Sequence, residues 1–143
     1  MELNLISVLI SILIPFMVVY LFHMVGLSKY LFNNEAGTTD LRKITSIWNV
    51  LLTTFAALLL SFFLLQFCNE IGQEGQFDSF GHGAWHGGFT AIFIALPILL
   101  VNGILRRSKA KTILIRWVFW FVTLALMGGV MDALNHWPNE AVM

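Results

Sequence analysis

The sequence predicts an all-α integral membrane protein, a single domain over residues 1–143 built as a bundle of four transmembrane helices. Composition is the first reason: 58% of the residues are hydrophobic and only 11% are charged, whereas about a quarter are charged in a soluble domain. Four apolar stretches of roughly 20 residues are the second, because that length crosses a bilayer as a helix. The third is that all eight Lys and Arg residues lie in or beside two alternate connections.

The spans are predicted at residues 4–25, 46–68, 84–105 and 112–133. The first has Glu2 but no Lys or Arg before it and exceeds the apolar core of a signal peptide, so we expect a retained helix. Pro15 and Pro97 lie in the middle of spans one and three and are expected to kink them, because proline lacks a backbone N–H. Asp78 or Ser79 is expected to cap the third helix.

Positive charge predicts the orientation. The cations between spans one and two, and between three and four, are Lys29, Arg42, Lys43, Arg106, Arg107, Lys109 and Lys111, with Arg116 just inside span four. The amino terminus, residues 69–83 and the carboxyl tail have none, so the positive-inside rule places both termini on the non-cytoplasmic side. Tryptophans at both predicted boundaries agree, and Trp117 is expected to keep its N–H in water at the inner one. We expect a multi-pass protein of the bacterial inner (cytoplasmic) membrane.

Three of the four histidines are predicted at the outer ends of spans three and four. His82 and His86 are one helical turn apart, and Asp132 and His136 have the same spacing on the neighbouring helix. The short connection makes the two helices antiparallel neighbours, so these side chains can meet. Three imidazoles and a carboxylate suit zinc or another divalent transition metal. A haem held by two histidines is a further alternative, and the simplest interpretation is polar anchoring at the interface.

Several function classes are disfavoured. The segment between His82 and His86 contains no acidic residue, so zincin-type hydrolysis is not indicated. A single cysteine, Cys68, excludes an internal disulfide and a multi-cysteine metal site. No span carries a charged residue or a histidine between its boundary layers, which disfavours a proton-coupled transporter. The zero net charge gives no reason to expect a nucleic-acid partner.

Glycines predict where the helices pack most closely. Gly83 and Gly87 form a Gly-xxx-Gly pair on span three, and Gly128 and Gly129 lie at a similar depth on span four. Small residues let helix backbones approach, either within one chain or between two copies. Such an approach is expected to bring His86 towards Asp132.

Residues 96–102 (LPILLVN), the short basic loop after them and residues 122–129 (VTLALMGG) resemble the carboxyl half of small bacterial membrane proteins grouped as domain-of-unknown-function family 1761. Asn102 and the pair Met127 and Gly128 are the distinctive points. The sequence departs from the family after span one, where a Trp-Tyr-Ser-Pro-like segment would be expected and residues 24–29 read MVGLSK. The resemblance implies a four-helix membrane fold and assigns no activity or site residue.

Two functional hypotheses follow. The first is a non-catalytic helical bundle that acts by self-association or as an accessory subunit of a membrane complex, in contact with the lipid bilayer. The alternative is a metal-binding membrane protein or enzyme whose site is His82, His86, Asp132 and His136 at the outer surface. A small dimeric transporter of uncharged or lipophilic molecules is a third possibility, supported only by size. The sequence favours a protein that is not an enzyme and names no reaction.

Overall fold

The computed structural model of the chain describes residues 5–31, 47–71 and 79–135. Within those ranges the regular structure is helical and contains no strand. Four helices there are long and apolar enough to cross a membrane, Leu5–Met24, Ile47–Leu64, Phe80–Leu105 and Ala110–Leu134. The predicted all-α fold with four membrane-spanning helices is confirmed, and the side on which the termini lie stays a prediction.

The first helix, α1 (Leu5–Met24), continues as α-helix through Pro15. It ends where Gly26 takes a left-handed conformation with φ 72°, which an L side chain adopts only with strain. The N–H of Gly26 donates to the carbonyl of His23, and the N–H of Leu27 donates to that of Phe22. This C-terminal cap turns the chain into a one-turn helix, α2 (Ser28–Leu31), which packs against the last helix.

The second span is α3 (Ile47–Ile71), which begins one residue from the predicted start. Most of its large apolar side chains are exposed, as expected where lipid is the solvent. Its buried side is narrow and includes Ala57, Ser61 and Leu64. These residues face α1 and the last helix.

The third span has three parts: α4 (Phe80–Thr90), a π-helical turn (Ala91–Ala95) and α5 (Leu96–Leu105). Ser79 caps α4, because its hydroxyl accepts the N–H of His82 at 3.3 Å. The cap predicted at Asp78 or Ser79 is confirmed at Ser79, and the helix begins four residues before the predicted membrane span and includes His82. Pro97 is the second residue of α5, so the change in backbone hydrogen bonding lies just before it, and the kink at this proline stays a prediction.

The prediction that the Trp117 N–H reaches water is wrong. Its indole Nε1 donates to the carbonyl of Ala91 at 3.2 Å, inside the bundle. In the π-helical turn that carbonyl also accepts the N–H of Leu96. A wider turn tilts a carbonyl away from the helix axis, where a side chain of a neighbouring helix can reach it.

The last helix, α6 (Ala110–Leu134), runs antiparallel to the third span after a tight turn in which Arg107 has φ 51°. The two meet through glycines, as predicted, and within one chain. A Cβ on Gly83 would collide with the carbonyl of Gly128, and a Cβ on Gly87 would collide with that of Leu124. The backbones are therefore in direct contact, without intervening side chains.

The other interhelical contacts include polar side chains in the apolar interior. The Ser61 hydroxyl of α3 donates to the Ser11 hydroxyl of α1 at 2.9 Å, and the Asn135 amide after α6 donates to the Ser7 hydroxyl at 2.8 Å. Thr90 and Thr123 bond carbonyls one turn back in their own helices, as expected of hydroxyls in membrane helices.

Candidate functional site

The candidate site lies at the end of the bundle where α4 begins and α6 ends. The Ser79 cap places His82 in the first turn of α4, and His86 follows one turn later on the same face. Asp132 faces them from the last turn of α6. The glycine contact described above brings these helix ends together.

The three side chains form a hydrogen-bonded chain. His82 Nδ1 lies 3.0 Å from Asp132 Oδ2, and His82 Nε2 lies 3.0 Å from His86 Nε2. The two imidazole rings are nearly perpendicular, with an interplanar angle of 86° and centroids 4.4 Å apart. His82 is therefore the central member, bonded through both of its ring nitrogens.

The side chains of this hydrogen-bonded chain are largely removed from solvent. Asp132 and His86 are each 7% exposed, and the side chain of His82 is 22% exposed. A carboxylate removed from water is costly unless it is paired and hydrogen-bonded. His82 supplies that partner to Asp132.

The pairing fixes the chemistry of His82. A carboxylate accepts a hydrogen bond, so Nδ1 of His82 carries the hydrogen and donates to Asp132. In a neutral ring, Nε2 of His82 then holds a lone pair that is directed towards His86. That nitrogen can accept the Nε2–H of His86, or it can bind a metal ion if His86 carries its hydrogen on Nδ1.

The structure brings together three of the four predicted site residues: His82, His86 and Asp132. His86 lies close enough to Asp132 for their charges to interact, as predicted, and the hydrogen bond to the carboxylate is made by His82. The fourth residue, His136, lies outside the described residues. The sequence also predicts Glu70, Glu74 or Asp78 as a supporting or substitute ligand, and the side chains of all three lie outside the described part of the chain.

Within the described part of the chain, no group of three or more His, Cys, Asp or Glu side chains is arranged to hold a metal ion. The linear geometry accounts for this. Asp132 contacts Nδ1 of His82, which points away from His86. The carboxylate therefore contacts the far side of the His82 ring and does not face the space between the two Nε2 atoms. The two Nε2 atoms are the donors that converge.

The separation of these two nitrogens is close to that of two nitrogens bound to one zinc ion. Two ligand nitrogens about 2.0–2.1 Å from a zinc ion are about 3.3 Å apart at the tetrahedral angle. The observed separation of the Nε2 atoms is 3.0 Å.

Sequence reasoning missed two polar residues near this end, Ser7 and Asn135. Asn135 is buried one turn beyond Asp132, and its amide donates to Ser7 on α1 and to the carbonyl of Met131. Ser7 and Ser11 are four residues apart in an otherwise apolar run, a spacing that places both on one helical face. That spacing is the signal that could have identified them.

His23 belongs to a different region. It lies at the opposite end of the bundle, in the last turn of α1, where its Nδ1 is 3.3 Å from the Ser28 hydroxyl. This contact joins the end of α1 to the start of α2.

Fold and site together define a multi-pass helical membrane protein with a buried His–His–Asp chain at one end of its bundle. The chain belongs to the family described as "Protein of unknown function (DUF1761)", whose model matches residues 6–131. The match is far longer than the carboxyl-half resemblance. It includes residues 24–29, where the sequence was expected to depart, and both histidines, and it ends one residue before Asp132. No curated protein and no solved structure matches the chain.

Proposed function

We propose that this membrane protein binds a divalent transition metal, with zinc as the best fit, through the Nε2 atoms of His82 and His86. The observation that carries the proposal is the convergence of these two atoms at 3.0 Å in a largely buried site. Imidazole nitrogen is a common zinc ligand, and two histidines one turn apart on a helix can bind the same ion.

Asp132 supports this function by holding His82. Metal-bound histidines commonly donate their other N–H to a carboxylate, which fixes the tautomer and makes the ligating nitrogen more basic. The contact between His82 Nδ1 and Asp132 Oδ2 at 3.0 Å has this form. Asp132 therefore acts as an orienting residue in the proposal, where the sequence alone predicted a ligand.

Zinc usually takes four ligands, so two further positions remain. His136 is the predicted third ligand, and it follows Asp132 by four residues. A water molecule or a small substrate would complete the site. We propose that the site faces the non-cytoplasmic side of a bacterial inner membrane, because the cationic connections lie at the opposite end.

Metal analysis tests this function directly. The wild-type protein, purified in detergent, loaded with zinc and dialysed, is expected to retain about one zinc per chain for the single site described by this ligand set. The His86→Ala variant should retain almost none. His23→Ala is the matched control, since it removes a histidine at the other end of the bundle, and it should behave as wild type. Equal metal content in wild type and His86→Ala, at any level, would reject the proposal.

Self-association or an accessory role in a membrane complex stays a prediction. The glycines that suggested packing between two copies have another explanation. Gly83, Gly87 and Gly128 are in contact with the opposite helix of the same chain. The exposed apolar side of α3 still supports self-association or binding to a partner, because such a surface can contact another helix as well as lipid. Chemical crosslinking in native membranes, followed by mass measurement, would show defined dimers or a defined partner if this role holds.

A further inference from the structure

A group of basic side chains surrounds Tyr30 at the end of the bundle opposite the histidines. The Lys29 ammonium lies 5.3 Å from the centroid of the Tyr30 ring, and the Lys111 ammonium lies 5.4 Å from it. Arg116 Nε donates to the backbone carbonyl of Tyr30 at 2.9 Å. We refer to Lys29, Tyr30, Lys111 and Arg116 as the Tyr30 cluster. It joins α2 to the first turns of α6.

The Tyr30 cluster concentrates positive charge. Three cations belong to it, and Arg106 is close enough to Arg116 for their charges to interact. Attraction to the ring face offsets part of the repulsion between the two ammonium groups. An external anion would offset more.

The position of Lys29 and Lys111 along the membrane-spanning helices indicates which class of anion the cluster is suited to bind. Lys29 lies just beyond the end of α1, and Lys111 lies in the first turn of α6, so both ammonium groups are at the level of the lipid headgroups. Val25 and Leu114, which flank them in sequence, are exposed large apolar residues. An acyl chain can cover such side chains, and a free phosphate ion cannot.

We propose that the Tyr30 cluster binds the phosphate of an anionic phospholipid such as phosphatidylglycerol. The two ammonium groups contact the unesterified phosphate oxygens, and the acyl chains lie along Val25 and Leu114. Basic pockets between transmembrane helices are suited to anionic headgroups. The site is independent of the metal site, since the two lie at opposite ends of the bundle.

Lipid competition tests the proposal. The protein is reconstituted in nanodiscs with equal amounts of phosphatidylglycerol and phosphatidylcholine of identical acyl chains, and the lipids retained on release are counted by native mass spectrometry. Wild type should retain phosphatidylglycerol preferentially. We expect about a fivefold preference for each cation that contacts the phosphate, so the Lys29→Gln/Lys111→Gln variant should lose about tenfold or more. An unchanged preference in this variant would overturn the site.

The matched control is Arg107→Gln/Lys109→Gln, which removes the same charge from the same end of the molecule but outside the cluster. It should keep the preference within about twofold, because its cations lack contact with Tyr30. If both double variants lose the preference equally, overall loop charge is responsible and the site is refuted. If the first double variant does not purify as a folded protein, the single Lys111→Gln variant replaces it, with a loss of about fivefold expected.

A separate arm distinguishes the lipid from free phosphate. Inorganic phosphate in large excess should leave phosphatidylglycerol bound, because the apolar contacts belong to the lipid alone. Displacement by inorganic phosphate would show that the cluster is a phosphate site and would overturn the lipid assignment.

Discussion

Asp132 determines which nitrogen of His82 is available for chemistry. Its buried carboxylate accepts the Nδ1–H, which leaves Nε2 of His82 facing Nε2 of His86. The same carboxylate would stabilise positive charge on His82 when a metal ion binds to the ring. A single acidic side chain therefore sets both the tautomer and the local charge.

Replacing Asp132 with Asn is expected to weaken zinc binding about 10- to 100-fold, the range found when the partner behind a metal-bound histidine is removed. The amide has the same shape but lacks the negative charge that strengthens the donor nitrogen. Competition against a chromophoric chelator measures the change in zinc affinity. His23→Gln serves as the control and should leave the affinity unchanged. Wild-type affinity in the Asp132→Asn variant would show that the carboxylate does not support a ligand.

Gly87→Ala is expected to destabilise the protein by about 1–3 kcal/mol, the usual cost of overpacking. Its new Cβ would collide with the backbone of Leu124 and Ala125, which cannot move as a flexible side chain could. Thermal unfolding in detergent measures the loss. Gly81→Ala is the matched control from the same helix, where a Cβ would meet nothing within 4 Å. Equal melting temperatures for the two variants would contradict the close backbone contact.

The spacing of His82 and His86 was sufficient to predict that they share a face, because the helical period alone determines it. The spacing could not predict which histidine meets Asp132. That choice depends on the rotation of α4 against α6, and the rotation is set by where Gly83 and Gly87 touch the opposite backbone. A tertiary contact of this kind leaves no periodic signal in the sequence.

Among the elements, the third span shows how a proline can be accommodated without breaking a helix. The π-helical turn Ala91–Ala95 precedes Pro97, and the indole of Trp117 bonds the carbonyl of Ala91. The Ala91 carbonyl also accepts the N–H of Leu96, so the indole supplies a second donor in a region without water. Trp117 therefore stabilises the π-helical turn that lies beside the proline.

Trp117→Phe should lower the free energy of unfolding by about 0.5–1.5 kcal/mol, because it removes one hydrogen bond and keeps an aromatic ring. Trp48→Phe is a suitable control, since Trp48 is 71% exposed in α3. Differential scanning fluorimetry in the same detergent compares the two. A melting temperature for Trp117→Phe as high as that of the control would mean that the bond to Ala91 contributes nothing.

The four spans could be predicted from the length of the apolar runs, since hydrophobic thickness sets that length. Their ends were less predictable. The cap at Ser79 could be predicted from its residue type, whereas the span was predicted to begin at residue 84, four residues after the helix does. The short helix α2 and the π-helical turn were missed, because each depends on contacts with α6.

At the scale of the whole molecule, the distribution of side chains fits an apolar solvent. Large apolar side chains cover much of the outer surface, while Ser7, Ser11, Ser61 and Thr123 are fully buried. Because lipid tails are as apolar as leucine, helices in a membrane associate through close packing and hydrogen bonds. The glycine contact and the paired polar side chains supply both.

Cysteine labelling tests the orientation of the whole bundle. In a Cys68→Ser background, Gly81→Cys should react with an impermeant maleimide added outside intact cells, and Lys109→Cys only after permeabilisation, because the positive-inside rule holds the cationic loop in the cytoplasm. If both positions were labelled from the same side, the chain could not cross the membrane an odd number of times between them, and the predicted topology would be wrong. The reverse pattern would show that the termini face the cytoplasm.

The direct backbone contact between α4 and α6 also limits how the protein can move. Where peptide groups touch, no side chain can rotate aside to let the two helices separate gradually, so they are expected to tilt and shift as one body. The shape of the histidine pair is then insensitive to fluctuations of the surrounding bilayer.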